Sequence, residues 1–399
     1  MRYISDFISR FRHLLAALVY AAFVLLICYM LGNSTFSFGE DKVIAQRLHI
    51  IKSVLSRQEQ LSSEDLLPVN IAYDKQLVDW TDEYGLPVGK IPITDRTALL
   101  NFLQIAKKAG TYKYIMLDVF FEQGIETPVD SALFSLISEM DNIVIPSHKD
   151  TPLADSVLLS KQGYADYGTS ILDSDFGKYR YICNGLSSMP LKMYTDVTGS
   201  EFKQWGPFVF CNGRLIRKCL FPNFKVNPGG NCYTSDGGKV FYNLGTDLLD
   251  YSAGMDYAAL IKDKYILIGD FTESDIHTTY VGEMSGAYIN FNAFLGLMDG
   301  KQFVSIWALL ALYIVYFLIA FFILKHLSVF QYIPFLKNVS SPVWRFIFSW
   351  CSFSLLLSIV SAAMYLIEGN IYDVLAVSSL FSLLSTGLEL RQTFKYSKS

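Results

Sequence analysis

Three aspartates each close an apolar segment of this chain: Ile71-Ala72-Tyr73-Asp74, Ile115-Met116-Leu117-Asp118 and Leu267-Ile268-Gly269-Asp270. If the segments are parallel strands, their carboxyl ends share one sheet edge, and that edge is where open α/β sheets bind ligands. Three carboxylates there could hold a divalent cation through oxygen, or form part of a ligand pocket. Each taken alone has a plainer explanation, because Asp at a strand exit commonly caps a turn. Together, Asp74, Asp118 and Asp270 are the candidate ligand-binding residues.

Other chemistry is hard to find. No GxSxG elbow occurs, and Gly282-Glu283-Met284-Ser285-Gly286 has the wrong spacing for one. There is no HExxH, P-loop or GxGxxG motif. The five histidines are His13, His49, His148, His277 and His326. His13 and His326 flank long apolar runs, His148 follows an expected strand, and His277 lies in a polar loop. Neither His148 nor His277 has a Cys or Ser partner at a recognisable spacing. No catalytic residue, cofactor or metal is therefore expected, and the chain is not expected to be an enzyme. The four cysteines Cys183, Cys211, Cys219 and Cys232 are an even set with no CxxC pair and no His among them. That favours two disulfides, in any of three pairings, over a zinc site.

Alternating elements would position the aspartates. Short apolar strands are expected at 69–74, 112–121, 142–146 and 264–270. Helices are expected at 40–60, 94–109, 130–140 and 286–298, with Thr94 as an N-cap. Such alternation implies a mostly parallel sheet with helices on both faces. Antiparallel additions are expected around Ser174-Asp175-Phe176-Gly177. Residues 185–240 read as a loop-rich insertion, with turn signals at Pro228-Gly229-Gly230 and Gly237-Gly238.

The chain has 399 residues, 52% hydrophobic and 18% charged, with mean hydropathy +0.30. So few charges point to membrane segments, and the 30 Phe and 25 Tyr exclude general disorder. Uncharged runs at 14–31, 302–324 and 346–367 approach or exceed the roughly 20 residues that span a bilayer. A shorter run, 374–388, reaches that length only if residues 371–373 sit among the headgroups. The first run has a basic start but no convincing cleavage site, so a retained anchor is expected rather than a signal peptide.

Basic residues set the orientation. Arg2, Arg10 and Arg12 precede the first run. Lys325, Lys337 and Arg345 separate the second and third, and Arg391, Lys395 and Lys398 follow the last. The expected layout is a cytoplasmic N-terminus (1–13), a first span (14–32), an extracytoplasmic domain (33–301) and a second span (302–324). A cytoplasmic loop (325–345), a third span (346–367), a fourth (371–388) and a cytoplasmic tail (389–399) follow. Residues 33–301 carry 24 basic against 33 acidic side chains, a formal charge of −9, which argues against nucleic acid as a partner. Only Asp299-Gly300-Lys301 joins the last helix of the domain to the second span. That link either transmits motion to the membrane or lets Gly300 act as a loose joint.

These residues carry a family likeness. The strand–helix–strand segment ending in Asp118-Val119-Phe120-Phe121-Glu122, followed by Asp130 and Leu133, resembles the first half of the CHASE2 family. CHASE denotes a cyclase/histidine-kinase-associated sensory extracellular domain. Tyr265-Ile266-Leu267-Ile268-Gly269 is similar to the family's late strand. Thr278 to Gly286 is similar to its Thr-Pro-rich loop, with Tyr280 where Pro is usual, and 290–300 to its closing helix. One span before the domain and three after it also resemble that family, over residues 14–390. The resemblance implies a bacterial inner-membrane sensor that reads an extracytoplasmic cue. Only about ten residues follow Leu388, so a sensor without its own output module is expected, relaying to a separate cytoplasmic or envelope protein, with a homo-oligomer as a further candidate assembly. The alternative is a non-catalytic docking subunit of an envelope complex.

Overall fold

The computed structural model describes residues 2–35, 39–55, 64–82, 84–121, 125–148, 155–166, 176–183, 185–222, 224–226, 241–250, 255–272, 275–325 and 341–396. Helix α1 (Arg2–Gly32) leads to α2 (Glu40–Leu55), and an α/β domain follows. Its six-stranded sheet uses β1 (Leu66–Asn70), β4 (Tyr114–Leu117), β5 (Ile143–Ser147), β6 (Gln162–Tyr164), β14 (Tyr242–Asn243) and β15 (Tyr265–Gly269). The spatial order is β14-β1-β15-β4-β5-β6, and every neighbouring pair is parallel. Hairpin β2 (Lys75–Thr81) and β3 (Pro87–Thr94) projects from the end of β1.

β1 and β4 are buried along their whole length, as expected for central parallel strands covered on both faces. One face holds α3 (Arg96–Ala109), α4 (Asp130–Glu139) and the short α6 (Tyr257–Ile261), built around Leu99, Phe102, Leu133 and Ile137. Asp95, not Thr94, caps α3. Its carboxylate accepts from Thr97 N and Ala98 N, and Gly110 ends the helix in the left-handed region. The other face holds α5 (Met189–Thr198) and α7 (Gly286–Met298), packed on Tyr114, Met116 and Leu267. Every residue of α7 from Gly286 to Leu297 is buried, which accounts for its lack of a polar stripe.

The segment expected to be loop-rich is ordered wherever it is described. It contains α5 and an antiparallel sheet of β10 (Phe202–Trp205), β11 (Phe208–Cys211) and β12 (Arg214–Ile216). Small pairs complete the domain: β7 (Tyr179–Arg180) with β13 (Cys219–Leu220), β8 (Ile182–Cys183) with β9 (Leu186–Ser187), and β16 (Ile276–Thr279) with β17 (Gly282–Ser285). The turn signals at 228–230 and 237–238 lie outside the described residues.

The expected disulfides are corrected. Cys183, Cys211 and Cys219 are free thiols in separate small sheets, and Cys232 lies outside the described residues. Hydrophobic packing does the work assigned to disulfides: Met189, Leu191, Met193, Val209 and Ile216 all join the core.

Three described helices are long and apolar enough to cross a membrane: Phe11–Gly32 of α1, α8 (Ile306–Leu324) and α9 (Pro342–Glu368). The expected fourth span is corrected. Helix α10 (Leu375–Tyr396) does form and packs on α9 and α8. However, Ser378, Ser379, Ser382, Ser385, Thr386, Glu389 and Arg391 interrupt its apolar character. Ala17 and Ala21 let α1 approach α8 at Leu312 and Tyr316. The Tyr20 hydroxyl donates to Leu380 O, tying α1 to α10.

The link from α7 to α8 is not a loose joint. Gly300 takes φ of 72°, but Lys301 N donates back to Gly296 O. Arg217 N then donates to Gln302 O and Val304 N to Leu215 O, so the linker is stitched along β12.

Candidate functional site

A cleft of about 410 Å³ opens over the carboxyl ends of the parallel strands. That is within the size range of small-molecule sites. Asp118 directly follows β4 and Asp270 directly follows β15, and both line the cleft. Asp74 does not. β1 ends at Asn70, so Asp74 lies four residues further on, where its carboxylate accepts from Gly245 N at 3.0 Å. This is the turn-capping use open to any such aspartate. Asp270 serves both purposes, lining the cleft and accepting from Thr272 N and Oγ1 at 2.9 Å.

Sequence reading missed two His–Asp pairs in the same cleft. His148 follows β5 and Asp166 follows β6. Because β5 and β6 pair in parallel, with Ser147 opposite Tyr164, the two side chains meet at 2.5 Å. Nothing in the spacing reveals this, since β6 is only three residues long. On the other side, His277 Nε2 lies 2.8 Å from Asp275 Oδ1 within the turn into β16. The i, i+2 spacing was visible, but not its place beside Asp118. Gly286 is required here, because a Cβ at that position would lie 2.5 Å from Asp275 Oδ2.

Asp118 sits between the two pairs. The cleft mouth leaves it partly accessible, yet its carboxyl group is enclosed by protein. Burial, reinforced by the charge of Asp275, pushes it up to about 7. Asn290, His148 and His277 pull the other way. Asn290 Nδ2 donates to Asp118 Oδ2 at 3.4 Å, while Asn290 Oδ1 accepts from the Tyr179 hydroxyl at 2.6 Å. Phe120 packs edge-on against the His148 ring and supplies an apolar wall. Lys75 and Thr94, paired at the base of the β2–β3 hairpin, form the rim. Among the described residues, no group of three or more His, Cys, Asp or Glu side chains is arranged to hold a metal ion.

The arrangement can accept hydrogen bonds and positive charge from a compact solute, and it can exchange protons near neutrality. The domain is thus a parallel α/β lobe with a cleft on its carboxyl edge, joined at both ends to helices long and apolar enough to cross a membrane. The CHASE2 domain family model matches residues 21–324. The chain belongs to the CHASE2 domain family, a family of sensory domains. No curated protein and no solved structure matches the chain. Tyr280, where the family resemblance leads one to expect Pro, is buried against Phe221 and Phe224 and donates to Pro222 O.

Proposed function

We propose that the chain is a non-enzymatic membrane sensor whose cleft over β4 and β15 receives an extracytoplasmic cue. The observation that carries this reading is the enclosed Asp118 carboxyl between two His–Asp pairs in a ligand-sized cleft. Four carboxylates (Asp118, Asp166, Asp270 and Asp275) line it, with Lys75 as the cleft's lysine. The cue is therefore a small polar molecule rich in hydrogen-bond donors or carrying positive charge.

Arg2, Arg10 and Arg12 at the start of α1, with Lys325, Lys337 and Arg345 after α8, support a cytoplasmic N-terminus and 325–345 loop, with residues 33–301 outside the inner membrane. The family's sensory character supports relay to a separate protein through the membrane helices. The partner would engage the 325–345 loop, and a homo-oligomer is a second form that relay could take. Residues 326–340 of that loop lie outside the described residues.

The test is a thermal-shift screen of polar metabolites and organic cations on the full chain in nanodiscs. A stabilising compound whose effect disappears in Asp118→Ala/Asp270→Ala supports the reading. Equal stabilisation of both proteins overturns it. Labelling of single cysteines at Trp205, which is exposed on β10, checks the orientation.

A further inference from the structure

Where the domain meets the helix bundle, Lys178 Nζ lies 3.7 Å from Asp373 Oδ1, with only 6% and 4% of the two side chains exposed. Lys178 belongs to the domain, immediately before β7. Asp373 belongs to the turn between α9 and α10. A second contact lies beside the first: the Arg217 guanidinium stacks over the Tyr372 ring at 4.6 Å. Lys301 Nζ donates to Glu368 O from the same side. Gly369 begins the turn with φ of 74°, and a Cβ there would lie 2.8 Å from Lys301 Nζ. The α9–α10 turn is thus gripped by the domain at three points.

This grip connects directly to the cleft. Asp118 accepts from Asn290, Asn290 accepts from the Tyr179 hydroxyl, and Tyr179 is the chain neighbour of Lys178. A parallel strand-level connection exists on the other side. Phe176 N donates to Thr278 O on β16, the strand that carries His277. Both routes lead from the cleft to residues 176–179. We infer that the state of the Asp118 carboxyl is transmitted through Asn290, Tyr179 and the Lys178–Asp373 pair to the α9–α10 turn. The inference rests on the cleft being the sensing site, and it adds the path by which the bundle receives the signal. Buried ion pairs suit this use, because removing one partner leaves an uncompensated charge that the structure must accommodate. Hydrogen bonds and packed side chains linked through the backbone at Lys178–Tyr179 can carry such coupling.

Hydrogen exchange on the full chain in nanodiscs tests the path without any ligand. Asp118→Ala removes the acceptor at the head of the chain. It should raise exchange at 369–374 at least about threefold, as a local opening equilibrium shifts. In a Tyr179→Phe background, which deletes a single hydroxyl, and in Lys178→Met/Asp373→Asn, which removes both buried charges, that response should vanish. The segment 269–277 should still respond in both backgrounds. If 369–374 responds equally in those backgrounds, or never responds to Asp118→Ala, the path is wrong. Should Lys178→Met/Asp373→Asn not fold, the Tyr179→Phe arm decides alone. The thermal-shift screen is scored separately, so a cleft that binds nothing and a path that carries nothing give different results.

Discussion

Arg96 Nη1 lies 3.0 Å from Asp130 Oδ1, with 2% and 7% of the side chains exposed, and this pair locks the first turn of α3 to the first turn of α4. Asp130 also accepts from Thr127 N and Thr127 Oγ1, and Arg96 stacks over Phe121. Both helices cover the sheet face beneath the cleft. Arg96→Met would leave Asp130 buried without its counter-charge, at a cost of about 3–5 kcal/mol. Arg96→Met/Asp130→Asn should recover much of that loss. Hydrogen exchange in α3 and α4 measures both variants, and a double variant no better than the single one would refute the coupling.

Asp118 sets a pH dependence whose sign is fixed. Its carboxyl is raised to about 7 in the folded chain, against an ordinary value near 3.8. Folding therefore favours the protonated form. The contribution is fully present at low pH and is lost as pH rises towards and through 7. Asp118→Asn should flatten the decline in melting temperature between about pH 5 and pH 8. At pH 8 it should gain about 2–4 kcal/mol relative to the native chain. A native chain whose stability does not change over that interval would contradict the assignment.

Thiol chemistry should be silent for stability. Burial pushes Cys219 up to about 12, and its Sγ lies 3.3 Å from Asn33 O, so it stays a thiol. Burial also raises Cys211. Reductant should leave melting unchanged. Maleimide should modify half-buried Cys183 before the other two. A reductant-induced drop in melting temperature would reinstate a disulfide.

Gly269 marks a close approach of strand and helix. A Cβ there would lie 2.8 Å from Ala287 Cβ. Gly269→Ala should cost about 1–3 kcal/mol by overpacking. Because Asp270 follows it, the same change should weaken any ligand effect on melting. Stability unchanged from native would show that α7 can shift away from the sheet.

Much of the architecture was legible because central parallel strands write themselves as apolar runs. Tyr114–Leu117 and Tyr265–Gly269 lie inside the runs read from sequence, and Asp118 and Asp270 fall on the shared edge. Asp74 was misplaced by register: the apolar run continues to Ile71, but pairing with β15 stops at Asn70 and Gly269. His148 and Asp166 were not joined because their meeting depends on the pairing of a three-residue strand. Lys178 and Asp373 lie 195 positions apart and meet only through tertiary packing. By length the fourth run counts as a candidate span, whereas the serines along α10 are what keep it from the apolar character of the other three helices.

Helix α7 is enclosed on every side, between the sheet, α5 and the ring pairs that Tyr265 makes with Phe291 and Phe294. An interior packed this way does not let one rod slide or spin by itself. A stroke of α7 alone along its axis would break these contacts, so any displacement of that rod is shared with the strands and rings packed around it.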